Sequence, residues 1–484
     1  MDAPKVVLKV ENHKGDYELQ NIMNIFEPYM DKNAQYKIVS RLEGSTCSAQ
    51  IFGADEKLIA QEVQIVKIGK LPGGDLSEKE KKHMLRQGLK KTLYLVLSKI
   101  THQELPWGGL TGIRPTKIVH TYKTQQYTQS SITQMLIEDY CISREKAKLM
   151  MDIAEKEEQV LSKNKDQEIS IYIGIPFCPT KCLYCSFTSY ALDEKGQQVE
   201  AYLDALTAEI NFVAKATKGR PIRSLYIGGG TPTSLNKAQL ERLLCEVSKG
   251  FDIESIEEYT VEAGRPDTIS REKLRLMKQY GVGRISINPQ TMNQKTLDII
   301  GRSHSVEDIV RVFDIAREEG HNNINMDLIV GLPGETPTDV MYTMERIQEL
   351  SPENITVHTL AIKRASRLKE TMDEYELISG PDIEQMLTTT AEGAQEMGME
   401  PYYMYRQKDI MGNFENVGYA IPGTESIYNI QMIAEQQTII AMGAGAVTKA
   451  VSDQGRGLER IPNVKNLEEY IKRIDEMIER KKQV

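Results

Sequence analysis

The sequence predicts an α/β protein: an open, partial (β/α)6 barrel preceded by an N-terminal α+β domain and followed by a C-terminal α+β extension. The first observation is a repeated alternation of apolar, strand-like runs with helical patterns between residues 169 and 398. Six such units in succession favour a parallel sheet covered by helices, because parallel strands need long crossover connections. The second observation is a group of three cysteines directly after the first of those strands. Loops at the carboxyl ends of parallel strands carry the chemistry in such folds.

The composition is that of an ordinary globular protein. The chain has 484 residues, enough for about three domains, and 27% of them are charged. Its net charge of -9 argues against a sequence-independent grip on nucleic acid. The first residues lack the apolar core of a signal peptide, and no apolar stretch approaches the roughly 20 residues that span a bilayer. We therefore expect a cytoplasmic protein with no nucleic-acid partner and no membrane span.

Three domains are predicted, at residues 1–165, 166–400 and 401–484, and the last is expected to cover the active site. The polar segment SKNKDQE at 162–168 is the predicted linker between the first two. In the N-terminal domain, Ser77 and Glu80 form the sequence signature of a capping box for a helix that runs to about residue 100. The other elements predicted there are strands at 6–10, 36–42, 48–52 and 59–67, helices at 18–30 and 131–160, a turn at LPGG (71–74) and a turn-rich segment at 105–117.

The barrel and the C-terminal extension follow from the same periodicities. The barrel strands are predicted at 169–175, 223–228, 257–262, 283–288, 323–330 and 354–362. Its helices are predicted at about 197–217, 237–249, 270–280, 305–319, 337–350 and 382–398. The extension is expected to add strands at 402–407 and 438–442, a close backbone approach at GAGA (443–446) and a surface helix at 466–482.

The cysteines Cys178, Cys182 and Cys185, in the run CPTKCLYC, are the strongest functional signal in the chain. Three thiolates on one short loop can hold three irons of a [4Fe-4S] cluster and leave the fourth iron open to a small molecule. Ferredoxins, by contrast, supply four cysteines and close the cluster for electron transfer. An iron with a vacant coordination position can bind a small molecule and take part in its reaction.

Zinc and inert thiols are the alternative interpretations of this loop. A structural zinc site needs a fourth ligand, usually from a second closely spaced pair. The remaining cysteines, Cys47, Cys141 and Cys245, are isolated, and the loop contains no histidine. A disulfide framework is not expected in a long chain without a secretory signal.

Polar residues and glycines follow the later strands of the predicted barrel. The run SLYIGGGTPT ends in three glycines, which either form a turn or let the backbone approach a ligand without obstruction by a Cβ atom. Glu262, Gln290 and Asp327 lie at or near strand ends. An acid in an apolar strand needs a partner, so Asp327 is either a core residue paired with a cation such as Arg302 or a ligand for sugar hydroxyls.

Together these motifs resemble those of the radical S-adenosylmethionine (SAM) enzymes. YIGIPFCPTKCLYCSF, GGGTPT and DLIVGLPGE are similar to the oxygen-independent coproporphyrinogen III dehydrogenase branch, which contains HemN, HemW and HemZ proteins. The runs LPWGGLTGIRPTK and YYMYRQKDIMGNFENVGYAIPGTES resemble the HemZ group in particular. The resemblance implies a radical-SAM barrel with a [4Fe-4S] cluster and SAM as cofactors.

The resemblance also implies roles for individual residues. The three loop cysteines would bind the cluster, and Tyr172 would reach SAM beside it and serve as the catalytic residue. Gly230 and Thr231 would face the methionyl end of SAM. The remaining positions implied to bind SAM are Tyr184, Glu262, Gln290, Arg302, Asp327 and Ala361.

The implied activity is oxidative decarboxylation of coproporphyrinogen III to protoporphyrinogen IX, which turns two propionates into vinyl groups. The implied partners are this tetrapyrrole and a one-electron donor such as flavodoxin or ferredoxin. A substrate with four carboxylates needs cationic anchors. The candidates near the predicted barrel mouth, which could equally be ordinary surface charges, are Arg265, Lys363, Arg364, Arg367 and Arg406.

Two departures from the family pattern bear on this activity. Phe187 occupies a position where the dehydrogenases often carry a fourth cysteine, and phenylalanine there is typical of HemW-like proteins associated with haem binding. Asn288 and Pro289 precede Gln290 where the family usually has G-V. A haem-binding chaperone and a radical-SAM enzyme that acts on haem itself are therefore the alternative functions.

Overall fold

The computed structural model describes residues 6–31, 33–68, 76–187, 189–376, 378, 380–408, 410–451 and 457–482. The predicted turn at 71–74 lies outside these residues. The chain divides into two compact units, Met1–Ala154 with Gly412–Phe414, and Glu155–Met411 with Glu415–Val484. The predicted domain boundaries near residues 165 and 400 stay predictions.

Among its described residues, the first unit contains a four-stranded sheet and five α-helices, the last of which continues into the second unit. Its strands, in sheet order, are β1 (Val6–Glu11), β2 (Tyr36–Glu43), β3 (Thr46–Phe52) and β4 (Leu58–Ile65), with β1 parallel to β2 and the other neighbours antiparallel. The helices are α1 (Asp16–Phe26), α2 (Glu78–Thr101), α3 (Thr116–Thr124), α4 (Gln129–Glu138) and α5 (Arg144–Leu161). Apolar faces of α1 and α2 share one core with the sheet.

Helix α2 begins as predicted, because Ser77 and Glu80 form both hydrogen bonds of the capping box. The single helix predicted over 131–160 is wrong. It is two helices, α4 and α5, separated at Cys141, whose φ of 57° lies in the left-handed region. Helix α3 was not predicted. It begins after Pro115, which suits the first turn of a helix, but the surrounding glycines indicated only turns.

The described part of the second unit is built on an open sheet of eleven strands. Six consecutive parallel strands, in the spatial order β12, β11, β10, β9, β8 and β5, form the partial (β/α)6 barrel that the sequence predicts. These strands are β5 (Ile169–Ile175), β8 (Ile222–Gly229), β9 (Glu258–Gly264), β10 (Arg284–Ile287), β11 (Ile324–Val330) and β12 (Asn354–Thr359). Two short strands, β6 (Phe177–Cys178) and β7 (Tyr190–Ala191), pair beside the end of β5.

C-terminal strands extend both edges of the barrel sheet. β13 (Glu400–Tyr405) and β14 (Asn416–Ala420) are antiparallel additions beside β12. β15 (Thr438–Met442) runs parallel to β5 on the other edge and is followed by the antiparallel strands β16 (Val447–Val451) and β17 (Leu458–Pro462). A Cβ atom on Gly443 would lie 2.5 Å from the Gly174 carbonyl oxygen, so the predicted close backbone approach is confirmed.

The helices of this unit cover the sheet. They are α6 (Leu192–Lys195), α7 (Val199–Ala216), α8 (Lys237–Gly250), α9 (Arg271–Gln279), α10 (Gln294–Ile299), α11 (Val306–Glu318), α12 (Pro337–Leu350), α13 (Arg367–Glu370), α14 (Gly380–Glu396), α15 (Ile427–Ala434), α16 (Leu467–Lys472) and α17 (Ile474–Lys481). Among the helices of the described residues, none combines the length and apolar character needed to cross a bilayer.

The predicted surface helix at 466–482 is wrong in two respects. It is two helices, α16 and α17, separated by the single residue Arg473. Its inner face is buried, because the Tyr470 hydroxyl donates a hydrogen bond to the buried carboxylate of Glu209 on α7. The Lys481 ammonium lies 3.4 Å from the same carboxylate. This highly charged segment therefore contains a buried ion pair.

Candidate functional site

The cysteine loop lies at the carboxyl end of β5 and is held on two sides. The Leu183 N–H donates to the Ile300 carbonyl at 3.0 Å, and the Leu183 carbonyl accepts from the Leu368 N–H at 2.9 Å. Within the loop, the Cys185 N–H donates to the Cys182 carbonyl at 3.2 Å. These backbone bonds fix the loop without using any thiol.

The three thiols lie close enough to influence one another. Burial raises the pKa of the Cys178 and Cys185 thiols, and the neighbouring loop thiols raise it further. Among the described residues, no three His, Cys, Asp or Glu side chains converge on a point where they could hold one metal ion. A [4Fe-4S] cluster does not require such convergence, because each cysteine binds a different iron. The donor set therefore fits a cluster better than a single zinc ion.

The glycine-rich end of β8 packs directly against this loop. The Gly230 N–H donates to the Ile175 carbonyl at 2.8 Å, and the Thr231 N–H donates to the Phe177 carbonyl at 2.7 Å. A Cβ atom on Gly230 would lie 2.6 Å from the Phe177 oxygen and 3.0 Å from the Cys178 sulfur. Only glycine fits there, because the backbone at Gly230 packs against the cysteine loop itself. The approach of this backbone to a ligand stays a prediction.

Glu262, at the end of β9, forms the first polar group beside the glycines. Its carboxylate accepts a hydrogen bond from the Tyr226 hydroxyl at 2.6 Å and another from the Gly229 N–H at 3.2 Å. Both donors are neutral. Burial raises the pKa of Glu262 to about 7.

Tyr172 belongs to a stack of three tyrosines on the same side of the site. Its ring centroid lies 6.3 Å from that of Tyr226 and 6.0 Å from that of Tyr428, with all three rings nearly parallel. Burial and the charge of Glu262 raise the pKa of the Tyr172 hydroxyl, so this group stays protonated. Because Tyr428 lies on α15, a C-terminal helix contributes to the site.

Tyr184, Gln290 and Arg302 form the second polar group. The Tyr184 hydroxyl donates to the Gln290 side-chain oxygen at 3.1 Å and accepts from the Arg302 guanidinium at 3.1 Å. Gln290 has a φ of 70°, and its backbone continues the ladder with β11, since its N–H donates to the Asp327 carbonyl at 3.0 Å. The loop cysteines are thus linked through Tyr184 to a glutamine and an arginine from two other segments.

Asp327, on β11, is the third polar group. Its carboxylate accepts from the Asn325 amide at 2.7 Å and lies 3.8 Å from the His358 imidazole, which in turn is 3.1 Å from the Tyr405 hydroxyl. Burial raises the pKa of Asp327, but His358 and Asn325 lower it by more, so the net shift is downward. Asp327 is therefore a paired residue, with His358 and not Arg302 as its partner, and its role as a ligand for sugar hydroxyls stays a prediction.

Asn288 explains how the site accommodates the departure before Gln290. Its carbonyl accepts from the Arg302 guanidinium at 3.0 Å, and its side-chain oxygen accepts from the Asp327 N–H at 3.3 Å. This residue therefore connects the second and third polar groups. Ala361 lies two residues past the end of β12, in an isolated bridge with Ile410.

Two of the predicted substrate anchors, Arg265 and Arg406, are buried inside the protein. Arg265 is buried, and its guanidinium binds Asp267 through two hydrogen bonds, at 3.0 and 2.7 Å, and Thr180 of the cysteine loop at 2.7 Å. It therefore clamps the loop. Arg406 is also buried, and burial lowers its pKa to about 10. Arg364 and Arg367 are exposed, and the Lys363 ammonium contacts the Lys408 carbonyl.

Sequence reasoning missed the residues that support the predicted ligands. Tyr405 and His358 orient Asp327, while Asp267 and Thr180 hold Arg265 against the cysteine loop. The available signal was His358 itself, a histidine within the apolar run ITVHTLAIK three residues before Ala361.

Comparisons with known proteins agree with this geometry. The sequence profile of the radical SAM superfamily matches residues 172–347. The oxygen-independent coproporphyrinogen-III oxidase-like protein HemZ of Bacillus subtilis (strain 168) is 40% identical over 413 residues, which are 84% of this chain and 82% of that protein. The haem chaperone HemW of the same organism is 35% identical over 283 residues, 57% of this chain and 70% of that protein.

A solved structure gives the same result. The coproporphyrinogen III oxidase HemN from Escherichia coli, described as a radical SAM enzyme, superposes with a TM-score of 0.54 at 26% identity, over 67% of this chain and 73% of that one. The open barrel and the three-cysteine loop thus define a radical SAM protein. The chain belongs to the HemN, HemW and HemZ family of the radical SAM superfamily. Members of this superfamily use a [4Fe-4S] cluster and SAM.

Proposed function

We propose that this protein oxidatively decarboxylates two propionate side chains of coproporphyrinogen III to vinyl groups and so yields protoporphyrinogen IX. Each vinyl group formed uses one SAM and one donated electron, and it releases carbon dioxide and one further electron to an external one-electron acceptor. One observation carries the proposal. Three polar groups, centred on Glu262, Gln290 and Asp327, lie at neighbouring strand ends beside the cysteine loop. The names of the HemZ and HemN relatives support the substrate, since both refer to coproporphyrinogen III oxidase.

The residues of this chain divide the binding of the two cofactors among them. Cys178, Cys182 and Cys185 would hold the cluster, which together with SAM would supply the radical chemistry that the decarboxylation needs. Among the polar groups, Glu262 suits the ammonium of SAM, because its two donors are neutral and leave its charge unpaired. Asp327 suits the ribose hydroxyls, because a carboxylate accepts hydrogen bonds from both of them.

The remaining side chains orient SAM and exclude water from its site. Arg302 brings a cation toward the carboxylate of SAM, and the Tyr184 hydroxyl holds it in register with Gln290. Gly230 and Thr231, packed against Phe177 and Cys178, face the methionyl end of SAM, while Ala361 lines the adenine side. Tyr172, protonated and stacked within an aromatic wall, places a hydroxyl at the SAM site and helps to exclude water.

The test is an anaerobic product assay. Reconstituted, reduced protein is incubated with SAM and coproporphyrinogen III, and the products are separated and identified by mass spectrometry. We expect protoporphyrinogen IX together with 5′-deoxyadenosine, and neither product from Cys182→Ser. Deoxyadenosine without the vinyl product would refute the substrate, and a haem-derived product in a parallel incubation with haem would assign the radical to haem itself.

A second candidate function is haem binding for delivery to another protein. Phe187 favours it, because its side chain is 72% exposed directly after the cluster ligands, at the position that distinguishes HemW-like proteins. The likeness to the haem chaperone HemW supports the same function. Stoichiometric haem binding and transfer to an apo-acceptor, with no decarboxylated product, would establish this candidate in place of the first. Failure to bind haem would exclude it.

A further inference from the structure

Arg284, on β10, brings a positive charge into the barrel sheet. Within the described barrel strands only two side chains are cationic, those of Arg223 and Arg284. The Arg223 guanidinium bonds to the Glu257 carboxylate at 3.1 Å and to the Val160 carbonyl at 2.9 Å, and both of these residues precede the amino end of a barrel strand. Arg223 is therefore paired at the amino ends of the strands, and Arg284 is the other cation.

The strand register places Arg284 on the same face of the sheet as Glu262 and Asp327. Ser286, two residues further along β10, pairs with Glu262 on one side and with Asn325 on the other. Alternate residues of a strand share a face, and Asn325 is itself two residues before Asp327. We call this face the inner face. Arg284 therefore lies on the inner face between the two carboxyl-bearing strands, nearer to their amino ends than either carboxyl.

The Arg284 guanidinium is enclosed but incompletely paired. Arg284 is 3% exposed, its Nη2 donates to the Asn354 side-chain oxygen at 3.5 Å, and its Nε has no hydrogen-bond partner. Among the described residues, no carboxylate oxygen lies within 4.0 Å of its nitrogens. A buried guanidinium is costly unless opposite charge balances it. The balancing charge must therefore act from further away within the same interior.

Three carboxyl groups, those of Glu258, Glu262 and Asp327, share this interior with Arg284. Glu258 is committed to the amino end of α15, because its carboxylate accepts hydrogen bonds from the Ser426 hydroxyl at 3.1 Å and from the Ile427 N–H. The other two carboxyls are those that the proposed function assigns to SAM. The remaining titratable side chains here are His358, beside Asp327, and six tyrosines that burial keeps protonated by raising their pKa values, namely Tyr172, Tyr226, Tyr402, Tyr403, Tyr405 and Tyr428.

We propose that Arg284 is a positioning residue for SAM that acts through Glu262 and Asp327: its fixed charge keeps both carboxylates negative inside the barrel and so ready for the ligand. The inference rests on the proposed assignment of these two carboxylates to SAM. Arg284 does not itself need to touch SAM, because a charge in an enclosed, weakly polar interior acts over a longer range than it does in water.

The two carboxylates depend on Arg284 to different degrees. Asp327 has His358 and Asn325 as close partners, so it stays ionised without further help. Glu262 accepts hydrogen bonds only from neutral donors. Burial raises the pKa of Glu262 to about 7, and the charge of Arg284 is one of the influences that keep this pKa from rising further. Loss of Arg284 should therefore be felt first at Glu262.

The experiment compares SAM affinity across pH in the reconstituted protein, without any tetrapyrrole. Calorimetry gives the Kd of SAM at pH 6, 7 and 8 for wild type and for Arg284→Met, which removes the charge and keeps an apolar side chain in the space. Arg284→Gln is measured as well, so that the result does not depend on how one substitution packs. Arg284→Lys keeps the charge. Arg223→Gln is the matched control, because it removes a buried arginine that is paired elsewhere.

A second readout follows Glu262 directly and needs no SAM. In an infrared titration of the free protein, the protonated Glu262 carboxyl gives a carboxylic acid band, which is identified by its loss in Glu262→Gln. The pH midpoint at which this band disappears is compared between wild type and the Arg284 variants.

We expect removal of the Arg284 charge to raise the infrared midpoint of Glu262 by about one pH unit. The Kd of SAM should then exceed that of wild type about tenfold at pH 6 and only about twofold at pH 8, because Glu262 regains its charge as the pH rises. Such a ratio of two Kd values cancels any titration of SAM itself. Arg284→Lys should stay near wild type, and Arg223→Gln should give the same ratio at every pH.

Three results would overturn the proposal. Wild-type Kd values at pH 6 in Arg284→Met and Arg284→Gln, or an unmoved infrared midpoint, would show that the charge does not act on Glu262. A loss of equal size at pH 6 and pH 8 would assign Arg284 to the packing of the barrel alone. The same pH-dependent loss in Arg284→Lys would show that its charge is not the property that matters. Because neither readout uses coproporphyrinogen III, failure of the product assay would leave this test intact.

Discussion

Glu262 and Asp327 are two carboxyl groups at the ends of strands in the same sheet, and their environments shift their pKa values in opposite directions. Glu262 accepts hydrogen bonds only from a hydroxyl and a backbone N–H, and burial raises its pKa to about 7. Asp327 is equally enclosed, but His358 and Asn325 more than offset its burial and hold its pKa below the ordinary value.

This difference shows how one site can prepare two acids for two tasks. Asp327 is ionised before any ligand arrives, so it can accept hydrogen bonds from neutral hydroxyls at once. Glu262 is poised between its two forms near neutral pH and becomes firmly ionised only when a cation enters. Paired groups with diverging pKa values are a common sign of a functional site.

The largest expected effect comes from removing the cluster, because SAM, the proposed ligand of Glu262 and Asp327, reacts at the cluster. Cys182→Ser deletes a buried loop thiol, so formation of 5′-deoxyadenosine should fall to the background of the assay. Cys245→Ser, on α8, removes an isolated cysteine and should leave it unchanged. Deoxyadenosine production by Cys182→Ser at the wild-type rate would remove the cluster from the account.

The next effect separates the two carboxyls by their charge. Asp327→Asn keeps the shape of the side chain but removes the charge, and charge-assisted hydrogen bonds contribute about 1.5–3 kcal/mol. Affinity for SAM, measured by calorimetry, should therefore fall about 10- to 100-fold, at pH 6 as well as at pH 8. A loss confined to high pH would show that Asp327 is not ionised throughout this range.

Glu262 should behave differently across the same pH range. Its carboxyl is protonated below pH 7 in the free protein, and the SAM ammonium binds only the ionised form. Affinity should therefore rise by about tenfold per pH unit up to pH 7 and level off above it. Glu262→Gln should abolish this rise and match wild type only at low pH. A pH-independent affinity in wild type would contradict the assignment.

The smallest expected effect comes from the Tyr184 hydroxyl, which links Gln290 to Arg302. Tyr184→Phe removes the bridge from Gln290 to Arg302 and leaves the ring in place. A hydrogen bond of this kind contributes about 1 kcal/mol, so the Kd for SAM should rise about fivefold. Tyr190→Phe, whose hydroxyl donates to the Lys465 carbonyl, is the matched control and should leave the Kd unchanged.

The barrel could be predicted from the sequence because each of its elements is long enough to show its own period. The predicted strand at 169–175 coincides with β5, and the capping signal at Ser77 marks the start of α2 correctly. Where the chain bends within a regular pattern, prediction failed. Cys141 turns left-handed between α4 and α5, and no local residue preference indicates that turn.

The site was predictable only in part, because the sequence does not show the register in which neighbouring strands pair. Cluster and SAM positions carry motifs, but their supporting partners lie on neighbouring strands. Asp327 pairs with Thr356 across β11 and β12, which places His358 two residues further along on the same face. A sequence read strand by strand does not contain that alignment, so neither the His358 contact nor the contrast with Glu262 could be predicted.

The measurement that tests the central claim most directly is electron paramagnetic resonance of the anaerobically reconstituted, reduced protein, with and without SAM. Three cysteines leave one iron of the cluster for a small-molecule ligand, so SAM should change the g values of the cluster signal, and Glu262→Gln should weaken that change above pH 7. A spectrum that SAM leaves unaltered, or a protein that binds zinc in place of iron, would contradict the account.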